Sequence, residues 1–348
     1  MSHHNGAFSN VYIAKEMLKE HIGFFHTAHS FRFSWCSDQT QDVFVGDFNA
    51  DGFDDLLCHQ RRAGGAWPQG KIGIAYNKPG SGFSHRGNNI WEFEMNWCIG
   101  TDQQLYIADF NGDGRDDMLC NSNGTEHKYI AFATTDGYFA DISWQGLPAW
   151  CLGPLKLFTG DFNGDGRHDL LCKTFDLNDD ILWISLANVD GTFNGTTMSQ
   201  ASHWCHGYSA ELFTTGDFNG DGLNDLFCRK PSANKKRIGL MSPATGSFAL
   251  NHWEEINGFC DMANKEMVLV DVNGDGRSDM LCLDIATGYT WIVLSTESDT
   301  EQFGGIVWEN EAWCHGDHTQ LLFGNFDGDR KTDALCKRIQ KLCYTTSD

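Results

Sequence analysis

No apolar stretch in the 348 residues approaches the roughly 18 needed to cross a bilayer as a helix, so no transmembrane helix is expected. Basic residues are scarce, 25 against 47 acidic, for a net charge of −22. No basic stripe exists to neutralise phosphates, which excludes nucleic acid as a partner. Linkers, low-complexity segments and charge blocks are missing too, which argues against division into separate domains. Met1–Asn10 carries no signal-peptide pattern, implying a mature or recombinant N-terminus. No Cys-x-x-Cys pair or Cys/His cluster supports zinc, and no unique His/Tyr/Arg group stands out as catalytic.

What is present is repetition. An acidic loop recurs six times: DFNADGFDD from Asp47, DFNGDGRDD from Asp109, DFNGDGRHD from Asp161, DFNGDGLND from Asp217, DVNGDGRSD from Asp271 and NFDGDRKTD from Asn325. Successive starts lie 62, 52, 56, 54 and 54 residues apart. Such a period means supersecondary units that bury their apolar faces against one another.

Oxygen-bearing side chains fall at loop positions 1, 3, 5 and 9. They are Asp47, Asn49, Asp51 and Asp55; Asp109, Asn111, Asp113 and Asp117; Asp161, Asn163, Asp165 and Asp169; Asp217, Asn219, Asp221 and Asp225; Asp271, Asn273, Asp275 and Asp279; and Asn325, Asp327, Asp329 and Asp333. Ca²⁺ takes about six to eight oxygens, and this spacing wraps them around one centre. About six Ca²⁺ are expected, with Mg²⁺ second because it keeps fewer protein ligands. The sixth copy departs from the pattern, with Asn325 at position 1 and Arg330 where the others have Gly. Position 7 varies freely, as expected if only its carbonyl is used. An EF-hand would need Glu at position 12, where every copy has Cys, and the flanks lack helical period. The competing reading is a metal-free Asp/Asn/Gly turn. The loops hold 18 Asp at ligand positions, so six Ca²⁺ (+12) would bring the net charge from −22 to −10.

Thirteen cysteines form two sets and a remainder. Cys36, Cys98, Cys151, Cys205, Cys260 and Cys314 precede the loops; Cys58, Cys120, Cys172, Cys228, Cys282 and Cys336 follow them. Pairing each with the next gives separations of 21 to 23 residues, against 31 to 40 for the alternative, and favours one disulfide per repeat. That number of disulfides implies an oxidising, extracellular compartment and a secreted protein. Cys343 is left over, either free or joining two chains as a disulfide-linked dimer. Asn123-Gly-Thr125 and Asn194-Gly-Thr196 are glycosylation sequons.

An apolar strand follows each position-12 Cys, then a turn usually ending in Phe, then a strand into the next Trp-Cys. Four strands in about 54 residues make one propeller blade. The expected fold is all-β, a six-bladed β-propeller of four-stranded blades with calcium loops, forming one domain over 1–348. N-terminal strands at about 11–36 would complete the C-terminal blade, with KLCYTT near the end competing for one of its positions. Seven blades is the alternative, although no residues remain to build one.

Loop and strand together resemble the FG-GAP/VCBS repeat, the calcium-loop blade of integrin α-chain propellers. The resemblance covers residues 11–348 and implies Ca²⁺ on the loop residues named above. A subset is similar to fungal and bacterial propeller lectins, which bind sugars in pockets between blades.

The repeated aromatics Trp35, Trp97, Trp150, Trp204 and Trp313, with His206 and His315 after two of the Trp-Cys pairs, are the candidate ligand-binding residues. Flat aromatic faces stack on sugar rings. The competing reading is blade-to-blade packing. The first expectation is a lectin-like protein with several equivalent weak sites for glycans or glycoproteins. The alternatives are a polysaccharide lyase or glycosidase using non-loop acids such as Glu92, Glu94, Glu254, Glu255 or Glu309, and an adhesion or protein-binding module. His3, His4, His26 and His29 form a weaker metal candidate.

Overall fold

Short apolar runs on both sides of every acidic loop demand two strands joined by a tight turn, and the computed structural model contains that hairpin six times. It describes residues 9–15, 26–33 and 35–339, apart from 66, 79–82, 84–89, 95–96, 140, 176–179, 202–203, 206–211, 231–232, 257–258, 263, 299–301, 311–313 and 315–318. Two N-terminal strands, β1 (Ser9–Lys15) and β2 (His26–Phe33), precede the first hairpin.

The first sheet is β3 (Gln41–Gly46), β4 (Asp55–Gln60), β5 (Lys71–Ala75) and β6 (Ile90–Glu94). The second is β7 (Gln103–Ala108), β8 (Asp117–Ser122), β9 (His127–Ala131) and β10 (Trp144–Gly146). The third is β11 (Lys156–Gly160), β12 (Asp169–Lys173), β13 (Ile181–Ser185) and β14 (Met198–Ala201). The fourth is β15 (Leu212–Gly216), β16 (Asp225–Lys230), β17 (Lys235–Ser242) and β18 (Ser247–Ile256). The fifth is β19 (Lys265–Val270), β20 (Asp279–Asp284), β21 (Thr290–Ser295) and β22 (Phe303–Asn310). The chain then ends its described part with β23 (Thr319–Gly324) and β24 (Asp333–Ile339).

Five sheets run in simple sequence order, and the sixth has the order β2-β1-β24-β23. In it β1 pairs antiparallel with β24, Tyr12 opposite Cys336. The edge of β24 is thereby covered by the other end of the chain, which removes an unpaired strand. No seventh sheet occurs among the described residues. KLCYTT and Cys343 lie outside them.

Neighbouring first strands touch, β3 with β7, β11 with β15 and β23 with β3, so these strands are innermost. Second strands such as β4 and β8 are buried along their whole length. They are covered on both faces, which is why the apolar residues of DLLCHQ and DMLCNS are consecutive (LLC and MLC) instead of alternating.

The core is a set of inter-sheet clusters. Phe48, Phe110, Phe162, Phe218 and Phe326 at loop position 2 are almost wholly buried. Each meets a Phe from the third-to-fourth-strand connection, or from the start of the fourth strand, of the next sheet: Phe48 with Phe139, Phe110 with Phe193, Phe162 with Phe248, Phe218 with Phe303 and Phe326 with Phe83. Their ring centroids are 5.6, 6.0, 5.9, 6.2 and 5.7 Å apart, edge to face. Edge-to-face pairs contribute about 0.5–1.5 kcal/mol beyond their area.

Disulfides join Cys36–Cys58, Cys98–Cys120, Cys151–Cys172, Cys205–Cys228, Cys260–Cys282 and Cys314–Cys336. This is the shorter-separation pairing, one bridge inside each repeat. The described cysteines are thus joined within the chain.

Candidate functional site

Every loop folds around its own backbone. Asp109 accepts from the N–H groups of Gly112 and Asp113 through Oδ1 (2.7 and 3.2 Å) and from Gly114 through Oδ2 (2.8 Å). Asn111 Oδ1 accepts from Asp113 N at 2.9 Å, and Asp113 Oδ1 from Arg115 N at 3.0 Å. Positions 4 and 6 both need positive φ, met by Gly112 (73°) and Gly114 (81°). Ala50 (58°) in the first loop and Arg330 (70°) in the sixth adopt the same region without being glycine.

The position-9 carboxylates are buried: Asp55, Asp117, Asp169, Asp225 and Asp279 at 0 % exposure and Asp333 at 2 %. Asp117 accepts from Phe110 N (3.1 Å) and Ala133 N (2.8 Å), which ties the loop to the exit of the third strand. Burial, reinforced by the nearby Asp51 and Asp47 charges, pushes Asp55 up to about 8. The same causes raise Asp117 to about 8 and Asp169 to about 7.

The loops are linked in a ring. The position-8 N–H donates to the position-1 carbonyl of the preceding loop: Asp116 to Asp47, His168 to Asp109, Asn224 to Asp161, Ser278 to Asp217 and Thr332 to Asp271, at 2.6–2.8 Å. Asp54 donates to Asn325 at 2.8 Å and closes the circle. Position-8 side chains repeat the link: Asp47 N donates to Asp116 Oδ2 (2.9 Å), Asp161 N to Asn224 Oδ1 (2.8 Å) and Asn325 N to Asp54 Oδ2 (2.7 Å). A Cβ on Gly46 or Gly324 would lie 2.7 or 2.6 Å from those carboxylates.

Position 7 is not idle. The side chains of Arg167, Leu223, Arg277, Lys331 and Phe53 lie against Gly112, Gly164, Gly220, Gly274 and Gly328 of the preceding loops. Arg115, Arg167 and Arg277 also pair with the position-5 Asp of their own loops.

The donor set suits a hard cation in kind: three carboxylates and an amide oxygen per turn, with like charges close enough to raise one another. In arrangement it is incomplete, since among the described residues no three Asp, Glu, His or Cys side chains converge at metal-holding distance. The position-9 carboxylate turns toward Phe110 N and its equivalents instead.

The Trp-Cys indoles are placed differently from a stacking platform. Trp35, Trp97 and Trp204 are 7, 7 and 1 % exposed and lie inside the inter-sheet clusters, leaving no free face for a sugar ring. Among the described Trp-Cys indoles Trp150 alone is half-buried, with Nε1 donating to Thr196 Oγ1 at 3.0 Å. Trp313, His206 and His315 lie outside the described residues, as do His3 and His4. Half-exposed aromatics occur instead on the third strands, opposite the second-strand cysteines: Tyr129, Trp183 and Trp291. The signal for them was the aromatic residue in the third strand of these three repeats.

Between the sheets, buried basic side chains reach across to the next cysteine turn. His59 Nε2 bonds Trp97 O at 3.1 Å, and Lys128 Nζ donates to Trp150 O. Lys173 pairs with Asp180, which accepts from Trp204 N at 2.9 Å. Arg229 and Lys236 hold Asp261 at 3.1 and 3.3 Å. Lys337 is buried near Asp42, and burial lowers it to about 8. From the fifth to the sixth sheet the equivalent positions are Leu283 and Thr290. A cavity of about 610 Å³ opens there, walled by Val268, Leu283, Leu321 and Phe323, with Glu266 and Gln320 as polar groups.

Fold and site together define an all-β propeller of four-stranded, disulfide-pinned blades linked by a ring of acidic loops. Residues 109–172, which run from the second loop through the third to Cys172, match the FG-GAP-like repeat family. Among solved structures, an Agrocybe aegerita lectin described as specifically recognising non-reducing terminal N-acetylglucosamine is similar at 15% identity and a TM-score of 0.57, over 95% of this chain and 84% of that one. A Photorhabdus luminescens Tc holotoxin pore is similar at 15% identity and a TM-score of 0.55, over 87% of this chain but 14% of that one. At these identities the likeness is one of fold. Curated protein sequences yield no match.

Proposed function

We propose that the chain is a secreted, six-bladed propeller, stiffened by calcium, that binds glycans in a cleft between blades. The observation carrying this reading is the roughly 610 Å³ cavity between the fifth and sixth sheets, where Leu283 stands in the place of His59, Asn121, Lys173, Arg229 and Lys337 in the other repeats. Its size falls within the roughly 300–1,000 Å³ of ligand pockets, and its mixed lining, apolar at Val268, Leu283, Leu321 and Phe323 and polar at Glu266, Thr319 and Gln320, suits a sugar with one C–H face and several hydroxyls. The sugar recognition described for the Agrocybe aegerita lectin supports it through the shared fold. Six disulfides support an oxidising compartment.

Calcium would be held by the position 1, 3, 5 and 9 residues of each loop, from Asp47, Asn49, Asp51 and Asp55 onward. When bound it supplies charge compensation for the clustered carboxylates. The chain's own residues carry the rest: backbone amides orient the carboxylates, and position 8 transmits the loop geometry around the ring.

The test is a glycan array on the wild type and on Leu283→Trp, whose indole fills the cleft. The expected result is binding to a defined family of neutral terminal sugars that Leu283→Trp abolishes while its thermal midpoint stays close to wild type. Binding unchanged in that variant, or absent across the array, would refute the reading.

A further inference from the structure

A second cavity lies on the fourth sheet, and its chemistry is the reverse of the chain's overall charge. Residues 229–237 hold Arg229, Lys230, Lys235, Lys236 and Arg237, five of the 25 basic residues, in a chain of net charge −22. They form the hairpin of β16 and β17, with Cys228 opposite Arg237, Arg229 opposite Lys236 and Lys230 opposite Lys235. Strand side chains alternate between faces, so this register sorts the cations into two groups.

Arg229 and Lys236 face the fifth sheet, where buried Asp261 takes both. Lys230, Lys235 and Arg237 share the opposite face with the Cys205–Cys228 disulfide. With Ala233 they line a cavity of about 260 Å³. Other repeats carry Gly73, Tyr129, Trp183 or Trp291 in the place of Arg237.

Like charges directly opposite on neighbouring strands destabilise a sheet. The Lys230/Lys235 pair is such a defect, and Lys230 forms no ion pair with a described residue. The acid that offsets the group is Glu254, which pairs with both Lys235 (2.7 Å) and Arg237 (2.5 Å). One carboxylate against three cations leaves the cavity positive.

We propose that this cavity binds the sulfate or carboxylate group of an acidic sugar, which deepens and rests on the glycan-binding reading. Arg237 offers a planar fork that matches either oxyanion, and the two lysines add point charges. The disulfide and Ala233 supply an apolar wall for the ring. The volume is below that of drug-sized pockets, so one sugar unit is held and not an oligosaccharide. Glu254 competes with the ligand for the same cations, which makes it a built-in attenuator.

The test is calorimetric titration with a sulfated monosaccharide, a uronic acid, their neutral parent sugar and inorganic sulfate. The wild type, Glu254→Gln and the double variant Lys230→Gln/Lys235→Gln are compared at about 50 and about 200 mM salt. Expected are a preference of at least about tenfold for the charged sugars over the neutral parent, its loss in the double variant, a severalfold gain in Glu254→Gln, and weakening with salt. A purely structural role for the cluster predicts no gain on removing Glu254. The proposal fails if charged and neutral sugars bind alike, if Glu254→Gln binds no tighter, or if inorganic sulfate binds as well as the sulfated sugar. All variants are compared by thermal midpoint, and the salt dependence of the wild type stands even if one misfolds. Neutral-glycan binding blocked by Leu283→Trp is a separate readout: its absence sinks the cleft and leaves the acidic-sugar preference to be judged by itself.

Discussion

At the scale of single residues, burial imposes costs that composition hides. His59 is 1 % exposed, with Nε2 directed at Trp97 O, and burial holds it down to about 4. Its unfolded value is about 6.5, so between about 6.5 and about 4 the unfolded chain binds a proton that the native chain refuses. This contribution to stability is therefore complete above about pH 6.5 and falls away as pH drops, by about 3 kcal/mol in all. Urea midpoints across that range should show the loss, and His59→Gln, which keeps a donor for Trp97 O, should flatten it. Ala50 and Arg330 occupy left-handed positions that other loops give to glycine. Ala50→Gly and Arg330→Gly should each raise stability by about 1 kcal/mol, read as a higher urea midpoint; no gain would mean the loops relax elsewhere.

At the scale of elements, the unit is a hairpin whose loop is ordered by its own carboxylates and whose strand is tied to the preceding turn by a disulfide. All six cysteines that precede the loops have positive φ, from 50 to 62°. A left-handed residue that is not glycine costs about 1–2 kcal/mol, and a disulfide closing a loop of about 20 residues offsets this with about 3 kcal/mol. Cys98→Ala/Cys120→Ala should thus lower stability by about 3 kcal/mol, measured by denaturant unfolding. The hairpins, their loops and the cysteine pairing were legible in sequence because each is local, set by spacing within about two dozen residues. The position-7 side chains were not, since what they cover belongs to another repeat 50 or more residues away. If the loops bind calcium, chelation should lower the thermal midpoint markedly and added Ca²⁺ restore it; an unchanged midpoint would leave the turns metal-free.

At the scale of the whole molecule, the ring depends on both ends of the chain. The position-8 bond from Asp54 to Asn325 and the pairing of β1 with β24 close it from two sides. Deleting residues 1–33 removes two strands of the sixth sheet and bares β24, so the truncated protein should melt earlier and self-associate, visible by light scattering. Wild-type behaviour would show that the closing pairing is dispensable. The ring also sets which junctions open. Its sheets are alike in sequence pattern, yet a cleft of about 610 Å³ opens where Leu283 replaces the polar or basic side chain of the other repeats.

The sequence by itself determined the repeat, the acidic turns, the intra-repeat disulfides and the four-strand rhythm, because all of these arise from residues close along the chain. Tertiary structure decided which side chains face a neighbour and which face a cavity. It buried Trp35, Trp97 and Trp204, left Tyr129, Trp183 and Trp291 partly open, and split the cations of 229–237 between a buried clamp and an open pocket. Alternation along a strand names two faces. What covers each face is set by how sheets from distant parts of the chain stack, and no local spacing encodes that.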